Sequence, residues 1–183
     1  MRQTAERDTS DRETDRISPP SLTRLYLEVL RARLPFYARH PIPRVERLWN
    51  EAERCLAEFD EACRNKGVPW ALVIIPDELQ IDPEVQREAL ARLRVRRDDL
   101  DLDGPNQRLV RWSRAREIPV LDLLPLFREE HHRLGRLYFP NDTHWNEKGN
   151  RVAGEAVARF VDGLPGWSLL PGDALPAFRP QSR

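Results

Sequence analysis

The run Trp70-Ala71-Leu72-Val73-Ile74-Ile75, stopped by Pro76, decides how this chain folds. Its six residues are apolar without alternation, and three are β-branched. That pattern is too short for a helix and reads as a strand covered on both faces, as in a parallel sheet. A second run, Ile118-Pro119-Val120-Leu121-Asp122-Leu123, reads as a second strand. Between the two lie a charged helix over residues 83–97, a turn-rich stretch over 98–104 and a helix over 105–117. Upstream, Leu22, Leu25, Tyr26, Val29 and Leu30 recur at helical steps until Pro35 ends them. From Pro43 a five-turn pattern, Val45, Leu48, Trp49, Ala52, Cys55, Leu56, Phe59, Ala62 and Cys63, runs to a cap at Gly67. This helix is expected to bury Leu48, Leu56 and Phe59 against the strand at 70–75. Downstream of the second strand come a short helix after Pro125 carrying Phe127 and a loop from Tyr138 to Trp145. A last helix is capped by Asn146 and turns Val152, Ala153, Ala156, Val157, Phe160 and Val161 to one side. Tyr138-Phe139 could add a short third strand. Strands separated by crossover helices belong to the α/β class.

Composition narrows the function classes. A chain of 183 residues suits one domain. Residues 1–17 are almost devoid of apolar side chains and read as a disordered tail. The domain proper is placed at 18–162, and 163–183 reads as a Pro/Gly-rich tail. Thirty basic and thirty acidic residues cancel, so nothing draws the chain as a whole towards nucleic acid. No stretch approaches the ~18 consecutive apolar residues of a membrane span, and no apolar run of a signal peptide opens the sequence, which leaves the compartment unassigned. Cys55 and Cys63 lie eight residues apart on one helix, ~12 Å along its axis. They cannot bridge each other there and read as buried small hydrophobes.

Chemistry concentrates in the loop before the last helix. Asp142 and His144 lie two apart, with Trp145 alongside. A carboxylate beside an imidazole fixes its tautomer and stabilises the imidazolium, which a general base needs; the same triplet also reads as an Asp-capped turn beside a surface histidine. Asp77 and Glu78 follow the first strand and Asp122 ends the second. Carboxyl ends of parallel strands are where α/β proteins place ligands, so Asp77 and Glu78 are candidate substrate contacts, with a solvated turn as the alternative. His131 and His132 sit on a charged helix and read as solvated. No further His or Cys falls at ligand spacing, so neither a metal nor a cofactor is expected. The basic run at 92–97 is followed at once by Asp98, Asp99, Asp101 and Asp103, the pattern of a solvated face.

The block Tyr138-Phe-Pro-Asn-Asp-Thr-His-Trp-Asn-Glu-Lys-Gly-Asn-Arg-Val-Ala153 resembles the final block of SGNH/GDSL hydrolases. It is most similar to the branch reading Asp-x-His-Trp-Asn-x-x-Gly-His, which includes acetyltransferase-like members. Leu72-Val-Ile-Ile-Pro76 with Gln80, Asp103-Gly-Pro-Asn106 with Leu109, and Ile118-Pro-Val-Leu-Asp-Leu-Leu-Pro-Leu-Phe127 agree in order, so the resemblance spans roughly residues 20–162. It implies a flavodoxin-like αβα sandwich and a Ser-His-Asp mechanism acting on esters or acylated carbohydrates. Asp142 falls on the acid position and His144 on the base position, with Trp145 beside the substrate. Asn150 stands where many relatives have His.

The departures are equally informative. No serine here follows Gly-Asp, and no Gly-x-Asn-Asp block exists to build an oxyanion hole. Only two convincing strands are present, where such a sandwich wants about five. The chain therefore reads as an incomplete sandwich with a short parallel sheet flanked by helices, the C-terminal portion of the fold, with the nucleophile block expected upstream. The alternative function is an inactive remnant that acts as an interaction module, self-associating through its open sheet edge.

Overall fold

The computed structural model describes residues 21–165 and 167. The tail expected at 1–17 and most of that at 163–183 lie outside them. Helix α1 (Arg24–Arg33) starts at Thr23, whose side chain accepts from Tyr26 N, and runs into a 3-10 turn at Leu34–Tyr37. Helix α2 (Pro43–Asn65) leads to strand β1 (Leu72–Ile74). A single-turn helix α3 (Glu78–Ile81), absent from the sequence reading, is closed by a capping box in which Asp77 and Gln80 satisfy each other's backbone donors. Asp82 caps α4 (Pro83–Leu93) in turn. That helix ends earlier than residue 97 because Arg94 adopts a left-handed conformation, φ 55°. Helix α5 (Gly104–Arg114), strand β2 (Val120–Asp122), α6 (Leu124–Leu134) and α7 (Glu147–Asp162) follow.

The strands pair in parallel, Leu72 with Val120, Val73 with Leu121 and Ile74 with Asp122. Val73 and Leu121, on the same face by register, pack onto the cluster of Leu123, Phe127, Val152 and Ala153 from α6 and α7. Helix α5 packs against both strands, and Leu109 on it meets Ile74 across a cleft. A second cluster, with Leu27, Leu30, Leu79, Val85 and Leu102 among its members, joins α1, α3 and α4. The result is an α/β fold, an incomplete αβα sandwich around two parallel strands. Tyr138 pairs only with Trp145, in one antiparallel bridge, so the third strand does not form among the described residues.

Several expectations are corrected. Leu25 is 78% exposed while Leu27 is buried, because the contact of α1 with α4 turns the Leu22–Tyr26–Leu27–Leu30 side inward. Leu48 (42%) and Phe59 (52%) on α2 are exposed rather than buried against β1, and Leu56 is half-buried. The sheet-facing position belongs to α5. Helix α2 is tied to α5 by Arg108, which donates to Glu53 (2.6 Å), Glu46 (2.9 Å) and Asn50 (3.1 Å) and lies over the Trp49 ring. Only Val45, Asp60 and Cys63 of α2 are buried. Cys55 is exposed and both cysteines are free. His131 is half-buried, not solvated, and burial lowers its pKa. No helix of the described residues is long and apolar enough to cross a membrane.

Phe127, with no exposed surface, anchors the α6–α7 side of the core. Phe127→Ala should cost about 3–5 kcal/mol in urea unfolding, whereas Leu25→Ala should stay within about 0.5 kcal/mol. Equal losses would show that the α1 face is misassigned.

Candidate active site

The loop before α7 is built from backbone pairing and two asparagines. Phe139 N donates to His144 O (3.1 Å) and Asp142 N to Phe139 O (3.2 Å), closing a tight turn. Asn141 sits at its corner with φ 57°, a conformation asparagine tolerates better than most residues. Its Oδ1 accepts from Thr23 N (2.6 Å), which ties the loop to the start of α1. Asn146 caps α7 by accepting from Gly149 N (3.0 Å) and donates to Arg136 O (2.8 Å) and Tyr138 O (3.3 Å). Gly149 is needed where it stands: a Cβ there would meet Leu137 O at 2.2 Å. The Asn-x-x-Gly spacing thus holds the loop's two ends together. The Tyr138 hydroxyl donates to Pro76 O, fastening the loop to the carboxyl end of β1.

Within this frame Asp142 and His144 meet. Asp142 Oδ1 accepts from His144 N at 3.0 Å and lies 2.6 Å from Nδ1. The imidazole side chain is 81% exposed. Hydrogen bonds from the His144 side chain and backbone hold the Asp142 carboxyl below its usual range. An ionised carboxylate only accepts, so the shared proton sits on Nδ1, and Nε2 takes no part in this contact.

Thr143, between them, lines a cleft of about 430 Å³ at the carboxyl end of β1, bounded also by Phe36, Tyr37, Trp49, Asp77 and Asn106. Its polar floor is a relay from one strand end to the other. The Asp77 side chain accepts from Leu79 N (2.9 Å) and pairs with Arg33. Gln80 accepts from Asp77 N (2.7 Å) and donates to Asn106 Oδ1 (2.8 Å), and Asn106 donates to Asp122 (2.7 Å).

The structure therefore brings Asp142 and His144 together, and Thr143 between them shares the cleft lining with Asp77. Glu78 and Trp145 are placed elsewhere. Glu78 is buried beneath α1, where Tyr26 donates to it at 2.6 Å. As the first residue of α3 its side chain leaves the helix on the core side, away from Asp77. Burial raises its pKa to about 7, reinforced by Asp82 and Asp77 and opposed by Tyr26 and Arg136. Trp145 is half-buried, its ring 5.2 Å from that of Phe127, so it holds the loop onto the core. Arg33 and Asn141 were not singled out from the sequence. Asn-Asp is a turn signal, but nothing local announces that Asn141 reaches Thr23, 118 residues away. No group of three His, Cys, Asp or Glu among the described residues could hold a metal ion.

Compared with known proteins, residues 36–178 match the family described as SGNH hydrolase-like domain, acetyltransferase AlgX. No curated protein and no solved structure matches the chain.

Two titrations test this geometry. Because the Asp142 carboxyl is depressed, its bond to His144 supports the fold above the ordinary carboxylate range and fades as pH falls through the folded value. In His144→Ala the Asp142 carboxyl should titrate higher by carbon-13 NMR; an unchanged titration would mean the 2.6 Å contact is not kept in solution. Glu78 has the opposite sign. Its raised pKa favours the protonated form, so its contribution is complete below its ordinary 4.5 and is lost as pH rises through about 7. Glu78→Gln should remove a fall in stability on the order of 3 kcal/mol across that window, and parallel stability–pH curves for the two proteins would contradict the burial of Glu78.

Proposed function

This chain belongs to the SGNH hydrolase-like family of the acetyltransferase AlgX domain, and from that premise we propose that its loop supplies the base half of a serine-type acyl-transfer centre. His144 is the base and Asp142 orients it. The observation that carries this reading is the 2.6 Å contact to Nδ1, which leaves Nε2 outside that contact on an exposed ring, next in sequence to Thr143 of the cleft lining.

The nucleophile in this reading is a serine brought by another segment or chain. Of the two serines described, the Ser21 hydroxyl donates to Glu88 (2.9 Å) and Ser113 is fully buried in α5. As the incoming Oγ attacks an ester carbonyl, Nε2 takes its proton and the Asp142 carboxylate stabilises the imidazolium. The imidazolium then protonates the departing alcohol. Water or an acceptor hydroxyl, deprotonated by the same nitrogen, takes the acyl group from the serine. The aromatic wall of Phe36, Tyr37 and Trp49 suits an ester or acylated-carbohydrate substrate, with Asp77 at the rim to accept from a hydroxyl. Trp145 acts by holding the loop.

A second reading, an interaction module without turnover, is favoured by one observation. Each strand of the two-stranded sheet pairs on one side only, and Ile75, directly after β1, is 62% exposed. An added strand could pair there.

The acyl-transfer reading expects the chain alone to hydrolyse p-nitrophenyl acetate no faster than free imidazole, since covalent step and oxyanion donors are lacking. His144→Gln should lower even that rate, and a fluorophosphonate should label no residue. Stoichiometric labelling of one serine would overturn the external nucleophile, and an unchanged rate in His144→Gln would overturn the base.

A further inference from the structure

All three tyrosines of the chain are buried, and two of them spend their hydroxyls on the protein. Tyr26 donates to Glu78 at 2.6 Å and Tyr138 donates to Pro76 O. Tyr37 is 7% exposed, and its hydroxyl has no hydrogen-bond partner among the described residues. Nor is that oxygen sealed in. The fully buried polar side-chain atoms of the described residues that lack a partner are Trp112 Nε1, Ser113 Oγ, His131 Nδ1 and Trp145 Nε1. The Tyr37 oxygen is therefore reached by solvent, and the open space that Tyr37 borders is the cleft. The rest of the residue is fixed. Its ring packs in the cluster of Leu30, Leu34 and Leu102, Asp101 N donates to its carbonyl at 2.7 Å, and the next residue, Ala38, bridges to Leu100. A phenylalanine would pack there equally well, and a buried phenol ordinarily finds a partner.

We propose that the Tyr37 hydroxyl is a specificity-determining donor of the cleft, binding an acceptor oxygen on the non-reacting portion of the substrate. This deepens the acyl-transfer reading and rests on it for what the cleft holds. Burial, with the Asp77 carboxylate adding to it, pushes the phenol above its ordinary range, so it stays protonated and donates. The polar groups around it are already committed. Gln80 and Asn106 hold each other and Asp122, and the Asp77 side chain holds Leu79 N and Arg33. Exposure decides which part of the substrate Tyr37 meets. His144 is 81% exposed, so in the acyl-transfer reading the ester carbonyl reacts at the surface, whereas Tyr37 in the cleft wall meets what is inserted beside Phe36 and Trp49. A ring that carries an ether oxygen there accepts from the phenol. Its all-carbon counterpart displaces water and leaves the phenol unpaired, and a site built to hydrogen-bond its substrate rejects the analogue that cannot.

Titration of the full chain with two acetate esters tests it, followed by NMR through the shifts of Trp49 and Thr143. Tetrahydropyran-4-yl acetate and cyclohexyl acetate differ by one ring oxygen, which only accepts. Tyr37→Phe should weaken the tetrahydropyranyl ester about fivefold, the effect of one neutral hydrogen bond, and leave the cyclohexyl ester unchanged. The urea midpoint of the variant should lie at or above that of the wild type, because the hydroxyl has no partner within the protein to lose. A wild-type chain that does not bind the tetrahydropyranyl ester would overturn the proposal. So would an equal loss for both esters, which would place the phenol on the ester group they share, or no loss for either. A lowered urea midpoint would show that the hydroxyl serves the fold instead. The readout is affinity and not rate, so this test and the His144→Gln rate comparison fail independently of each other.

Discussion

Parallel pairing between Leu72–Ile74 and Val120–Asp122 is the constraint from which the remaining architecture follows. Two parallel strands cannot be joined by a hairpin, so the intervening chain must cross over through helices, here α3, α4 and α5. Three residues per strand bury little by themselves, and both faces need cover. Val73 and Leu121 find it in α6 and α7, and α5 covers the opposite face. Parallel direction also makes the two ends of the sheet unlike. Both chains leave at the same rim, so Pro76-Asp77 and Asp122-Leu123 become neighbours there, and the loop before α7 is drawn to them by the Tyr138–Pro76 hydrogen bond.

Near that rim most residues of the loop before α7 are spent on holding it in place. Asn146 and Gly149 close the loop onto Leu137, Tyr138 and Trp145 fix it to sheet and core, and Asn141 fixes it to α1. Tyr138, Asn141 and Asn146 use their side-chain polar groups in these bonds, whereas the His144 ring of the Asp142–His144 pair stays exposed. The Gln80–Asn106–Asp122 relay does for the cleft floor what Asn146 does for the loop: each amide pairs a donor with an acceptor and leaves the strand ends at a set distance. Rigid backbone beneath an exposed imidazole is what keeps Nδ1 on its carboxylate, since solvent competes for every hydrogen bond the ring makes.

Helix α2 shows where periodicity stops being informative. Its apolar residues cover more than one stripe, and a helix with so broad an apolar surface offers two candidate faces to the core. The sheet has room for one helix on that side, and α5 holds it. What remains for α2 is attachment through Arg108, Trp49 and the buried pair Val45 and Cys63. Leu25 on α1 shows the same limit at smaller scale: it belongs to the periodic face read from the sequence, yet the contact with α4 buries Leu27 instead.

The α/β class, the two strand positions, the cap at Asn146 and the Asp-x-His pair were legible from residue order alone. Each rests on interactions within a few residues: apolar runs bounded by proline, a side chain capping its own helix, a carboxylate two positions from an imidazole. Tertiary structure decided what depends on partners far along the chain. Glu78 is drawn inward by Tyr26, 52 residues away, while its neighbour Asp77 stays at the rim with Arg33, 44 residues away. Trp145 turns to Phe127 rather than to the cleft. A carboxylate or an indole has the same local pattern in either place; only the burial of its surface and the presence of a distant donor or ring determine which one it takes.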